Sequence, residues 1–167
     1  DSGLDWLLLG YDSHKRLIYY VRELNHVYLE NPCLWQLDHN WNGFQWNQVD
    51  DAANSVISFV RRGRHKGEYL IVVSNFTPVP RNQYRINVPT AGIYHQLINS
   101  DSVEYGGNTD DLPDYASVIE KNKGKEEQVI YMDLSPLSTL YLRKKHNQMK
   151  EKPGRRKRDR KGELVNG

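Results

Sequence analysis

A single cysteine, Cys33, in 167 residues leaves no partner for an intrachain disulfide and too few thiolates for a multi-cysteine zinc cluster. Such usage fits a reducing cytosol. No apolar run reaches the ~18 residues that a membrane-crossing helix needs, and Asp1-Ser2-Gly3-Leu4-Asp5 lacks the basic-then-apolar character of a signal peptide. The expectation is a soluble, cytoplasmic chain without a membrane segment. The absence of Met at position 1 points to an excerpt of a longer protein. Also missing are GxSxG, a Walker loop, GxGxxG after a strand and HExxH. The histidines, His14, His26, His39, His65, His95 and His146, show no close ligand spacing. His14 and His26 lie on one predicted helix but point about 120° apart. Neither a metal nor a cofactor is expected.

A large excess of one charge is lacking too, although the small net charge of +2 hides an uneven distribution. Residues 1–146 hold 15 Lys and Arg against 18 Asp and Glu, a net −3, whereas 147–167 hold 8 against 3, a net +5. The basic character therefore belongs to the tail, where RRKRDRK at 155–161 has no apolar period and is expected to be disordered. A polycation binds phosphates nonspecifically, but the acidic body offers no nucleic-acid motif, so a solvated tail without a specific nucleic-acid partner is the better reading.

What is present divides the chain into two kinds of pattern. In HKRLIYYVRELNHVYLEN at 14–31, Leu17, Tyr20, Val21, Leu24, Val27 and Tyr28 recur at spacings of three and four, predicting a helix with one face on a core. Ser13 is its expected N-cap, and Asn31-Pro32 ends it because proline removes a donor and disfavours helix in the preceding residue. A short helical piece is expected at 33–37 and a turn at Asn40-Trp41-Asn42-Gly43. From Gly43 the helical period disappears and short β-favouring runs follow, predicting strands at 44–50, 55–61, 69–76, 84–88, 93–99, 128–134 and 138–143. In YRINV, Tyr84, Ile86 and Val88 share one face with Arg85 and Asn87 on the other, whereas YLIVVSNF is apolar on both faces and reads as a central strand. Short strands without intervening long helices indicate a mainly β, antiparallel sandwich. The polar stretch 101–127 is expected to be a long mobile surface loop.

Candidate chemistry is sparse. Asp50-Asp51 is a tempting carboxylate pair, but adjacent strand residues point to opposite faces, which favours turn and cap duty. Cys33 is expected to pack. Asn75-Phe76-Thr77 matches a glycosylation sequon inside a predicted central strand and is discounted. The 4 Trp, 11 Tyr and 3 Phe remain unusual, and Trp6, Trp35, Trp41, Phe44, Trp46 and Tyr94 fall near turns and strand ends. Aromatic faces suit the apolar face of a pyranose, although core packing is the commoner fate of any one ring.

Several blocks, taken in order, resemble the C-terminal part of bacterial 1,4-α-glucan (glycogen) branching enzymes of the α-amylase superfamily. They are LDWLLL at 4–9, HKRLIYYVRELNHVY at 14–28, GFQW at 43–46, Asp50-Asp51 with SVISFVRR at 55–62, VVSNFTPVPRNQYRINVP at 72–89, GIYHQLINSD at 92–101, YGG at 105–107 and LSPLSTLYLR at 134–143. Departures are Ser135-Pro136, where the family tends to have two prolines, the irregular 108–127 loop and the tail. The resemblance implies that residues 1–41 are the last helices of a (β/α)8 barrel, that 42–146 form the sandwich and that 147–167 are an appended tail. It implies transfer of an α-1,4-glucan segment to a 6-hydroxyl by retaining double displacement, with carboxylates about 5 Å apart that lie upstream of residue 4. The chain alone is then expected to lack the catalytic carboxylates and to be inactive, its partners being α-glucans such as glycogen and amylose and its own upstream barrel. Trp6 and Tyr94 are the candidate glucan-stacking residues. A stand-alone sugar-binding sandwich is the competing reading, but it leaves the helix at 14–31 without a purpose.

Overall fold

The computed structural model describes residues 3, 5–48, 51 and 53–145. The predicted tail at 147–167, Asp50 and His146 lie outside the described residues. After a 3-10 turn at Trp6–Gly10, α1 runs over Asp12–Glu30. Two further 3-10 turns, Pro32–Leu34 and Trp41–Gly43, lead into the strands, of which the described residues hold nine. These are β1 (Phe44–Gln48), β2 (Val56–Arg62), β3 (Tyr69–Asn75), β4 (Arg81–Asn87), β5 (Ile93–Asn99), β6 (Asp114–Ala116), β7 (Val118–Asn122), β8 (Lys125–Leu134) and β9 (Thr139–Lys144).

The helix lies where the periodicity predicts, but its start differs. Tyr11 occupies the N-cap position without a side-chain bond, and Ser13 sits inside the first turn. The capping carboxylate belongs to Asp5, which accepts the Leu7 N–H at 3.0 Å and opens the preceding 3-10 turn. At the other end, Asn31 Nδ2 donates to the Val27 carbonyl at 2.7 Å, satisfying one of the orphan acceptors of the last turn.

All strand pairs are antiparallel. They form a six-stranded sheet, β1-β2-β3-β9-β5-β6, and a three-stranded sheet, β4-β8-β7. The core between them gathers Val56, Val60, Ile71, Val73, Ile86, Ile130, Met132, Leu140 and Leu142. Ile86 and Val88 are buried and Tyr84 packs against the core, as the alternation in YRINV predicts. Every residue of β3 is buried. Ile71 and Val73 face the sandwich, while Leu70 and Val72 lie on the opposite face, beneath the helical segment. Full burial of each such aliphatic side chain is worth about 1.5–3 kcal/mol.

The 101–127 stretch corrects the expectation of a mobile loop. It holds a 3-10 turn at Val103–Tyr105, β6, β7 and the start of β8. Lys123 and Gly124 both have positive φ, 48° and 80°, the twist that a two-residue hairpin loop needs. The pattern carries no apolar period because this ladder is charged. Glu120 and Glu127 stand directly opposite each other, and Arg85 bridges them, its Nε donating to Glu120 at 2.7 Å and its Nη2 to Glu127 at 2.6 Å. Like charges so placed repel, so the strand pair depends on the guanidinium.

Arg85 holds both carboxyls below the usual glutamate range. Their support is therefore present above pH ~4.3 and lost as pH falls through the depressed folded-state values. Amide exchange should show β7 protection falling on acidification in the native chain, and low protection already at neutral pH in Arg85→Ala.

Candidate functional site

The helical segment covers the outer face of the larger sheet only in part. Tyr20, Leu24 and Val27 are half-buried, and Leu24 and Val27 border a gap of about 370 Å³ above Phe59, Val72 and Tyr141. Tyr105 packs on Tyr19 and Tyr20 with ring centroids 5.6 and 4.9 Å apart. Arg61 Nη2 donates to the Leu34 carbonyl at 2.9 Å and also pairs with Asp38, tying the chain after the helix to β2. The remaining apolar positions face solvent. Leu17, Val21 and Tyr28, on the same ridge as Leu24, are exposed, with Leu17 at 58%. Trp6–Leu9 continue this surface. The stripe read from the sequence is thus wider than the sheet surface it covers.

A second group of apolar side chains opens on β1. Trp46, 52% exposed, stands edge-on to Phe44 and Phe59 at 4.9 and 6.1 Å. These neighbours brace the indole while leaving part of it accessible, a geometry that suits stacking on a sugar ring. Trp41, 89% exposed, precedes it. The sequence showed these aromatics but not that they converge; the signal was GFQW opening a strand opposite Phe59.

Of the two candidate stacking residues, Trp6 is 71% exposed. Tyr94 is 0% exposed, which removes it as a surface platform. Its position on β5 points into the sandwich, where its hydroxyl donates to the Thr90 carbonyl at 2.6 Å and shares a 2.7 Å hydrogen bond with Tyr69. Burial, followed by the bond to Tyr69, pushes its pKa up. The two residues do not form one site.

The other candidates have structural duties. Asp51 accepts from the Tyr84 hydroxyl and from Asn54, and these bonds, that of Tyr84 foremost, hold its carboxyl below the usual range. Asn75 is buried, with Nδ2 donating to the carbonyls of Val79 and Ser135 at 2.9 and 3.0 Å, so the sequon nitrogen is engaged. Cys33 is 2% exposed, and burial, reinforced by Glu68, raises its pKa to about 11. Among the described residues, no group of three or more His, Cys, Asp or Glu is placed to hold a metal. No helix among them is long and apolar enough to cross a membrane.

Two antiparallel sheets packed around one core, with a helix on the outer face of the larger one, define a mainly β sandwich. The family model described as alpha amylase, C-terminal all-beta domain, matches residues 46–145, and the chain belongs to that family. It is 39% identical over 142 residues to the 1,4-alpha-glucan branching enzyme GlgB of Halothermothrix orenii, a match covering 85% of this chain and 22% of that protein. The corresponding enzyme of Prochlorococcus marinus (strain MIT 9211) is 46% identical over 144 residues, covering 85% of this chain and 19% of the relative. That of Synechocystis sp. is 37% identical over 148 residues, covering 87% and 19%. The chain spans about a fifth of the length of these curated relatives.

Two outcomes follow from the burial. Tyr94→Ala should cost about 3–5 kcal/mol in urea unfolding, whereas Trp6→Ala should change stability by less than about 0.5 kcal/mol. Cys33 should resist iodoacetamide in the native chain near pH 8 and react readily once urea unfolds it.

Proposed function

We propose that this chain is the C-terminal portion of a 1,4-α-glucan branching enzyme, which moves an α-1,4-glucan segment onto a 6-hydroxyl to form branches in glycogen. The carrying observation is the exposed apolar surface of the 3-10 turn and α1, for which the described residues provide no cover. A patch of this kind on one side of a well-packed sandwich marks an interface. The relatives are about five times longer than this chain, and in this reading the additional length forms the body that covers the patch. In this reading residues 1–41 are the closing helices of the catalytic barrel, 42–146 are the sandwich, and 147–167 are an appended basic tail. A stand-alone sugar-binding module would leave that surface unexplained.

The reaction is a retaining double displacement: a carboxylate attacks the anomeric carbon while a second carboxyl protonates the leaving oxygen, and the acceptor 6-hydroxyl then displaces the enzyme. These groups lie in the upstream portion, so the chain shown supports the barrel wall and is inactive by itself. Its partners are that barrel and α-glucans such as glycogen and amylose, and its compartment is the cytoplasm. The braced Trp46 gives a glucan chain an apolar face on which to stack, whereas Trp6, the other exposed candidate, lies within the surface that the barrel covers in this reading.

Iodine staining of amylose should be unchanged by this chain alone and should shift with the complete gene product; branch formation by the chain alone overturns the assignment. In amylose-containing native gels, Trp46→Ala should weaken retention roughly three- to tenfold. Unaltered retention would remove Trp46 as a platform.

A further inference from the structure

A cleft of about 640 Å³ opens where the C-terminal end of α1, the β2–β3 turn, the start of β5 and the end of β9 meet. That volume suits a small molecule. Cys33 and Tyr69, both buried, lie at its apolar floor. Around it stand Lys66, Arg143, Lys144 and Lys145, with two carboxylates, Glu30 and Glu68, among the lining residues.

Glu68 is turned onto its own turn, accepting the His65 N–H at 3.4 Å. Lys145 and His95 share Asp114. Arg143 donates only to the neutral Asn31 Oδ1 at 3.2 Å, and Lys144 only to the Thr90 hydroxyl at 3.0 Å. Among the described residues, Lys66, Arg143 and Lys144 have no carboxylate within salt-bridge distance. Lys66, Arg143 and Lys144 thus border one cavity outside any ion pair among the described residues, against two lining carboxylates, Glu30 and Glu68, in a body whose residues 1–146 carry a net −3.

The geometry points to a binding site for a compact organic phosphate in this cleft, with Lys66, Arg143 and Lys144 holding the phosphate oxygens and the Cys33–Tyr69 floor taking the organic part. Charge-assisted bonds to phosphate are the strongest that these side chains make, and Arg143 offers a forked donor. A neutral glucan has no use for three cations. A long polyanion is repelled by the acidic body around a cavity of small-molecule size. The negative end of α1 also approaches the cleft, but Asn31 covers the Val27 carbonyl and Arg143 holds Asn31, which leaves Lys66 and Lys144 as the freest donors. The site is independent of the branching assignment.

Calorimetric titration of the complete 167-residue chain with glucose 6-phosphate should show saturable binding at millimolar or lower concentration, and glucose should give none. Inorganic phosphate is a separate arm: binding as tight as that of the sugar phosphate identifies the free anion as the ligand and supports the cation cluster. Lys66→Gln combined with Lys144→Gln should weaken binding at least about tenfold. Lys121→Gln with Lys123→Gln on the distant hairpin removes the same charge and should leave it unchanged. Absence of binding by both phosphates, or an equal loss in the two double variants, overturns the site. Neither lysine pair lies in the core, and circular dichroism checks that each variant is folded.

Discussion

Burial of one strand on both faces is the constraint from which the rest of the architecture follows. β3 is apolar throughout Tyr69–Val73, so a sheet containing it needs cover on two sides. The three-stranded sheet supplies one cover through Ile86, Ile130 and Met132. The helical segment supplies the other, through Leu24, Val27 and Leu34 over Val72 and Tyr141. A sandwich with a solvated outer face would leave Leu70 and Val72 in water. The helix is therefore part of the folded unit, and Arg61 and Arg143 reach across to hold the chain that follows it in place.

The same helix carries more apolar surface than the sheet accepts. Leu17, Val21 and Tyr28 continue the ridge that Leu24 begins, yet they end in solvent, beside Trp6–Leu9. A helix with apolar residues around much of its circumference is built to lie between two bodies rather than on the surface of one. The chain spans about a fifth of the length of its curated relatives, and in the proposed reading the remainder supplies that second body. The proposed assignment to a branching enzyme leans on this exposed apolar surface, and in that proposal the reacting groups belong to the body that covers it.

Polar groups organise the opposite edges of the molecule. On the smaller sheet, Arg85 reconciles two facing glutamates, which is how β7 and β8 pair without an apolar stripe. On the larger sheet, Asp114 gathers His95 and Lys145 and so secures the three-residue β6 at the edge. At the adjoining cleft cations outnumber carboxylates: Lys66, Arg143 and Lys144 meet there with Glu30 and Glu68, and none of the three cations is held in an ion pair among the described residues.

The 3.6-residue period at 14–31, the change of class at Gly43, the doubly apolar β3 and the alternation in YRINV are local patterns, and the sequence alone determined them because backbone geometry ties side-chain direction to spacing. Strands 81–87 and 125–134 begin earlier than their apolar runs, since polar outer-face residues extend a ladder without marking it. Only the tertiary structure decided that Tyr94 is a core residue while Trp46 is a braced surface ring, that 101–127 contains β6 and β7, and that residues 30 to 33, 65 to 69 and 143 to 145 enclose one cleft. Each of these depends on which strands pair and which faces meet across long sequence separations. That outcome is set by the summed burial of the whole chain, and no window of neighbouring residues contains it.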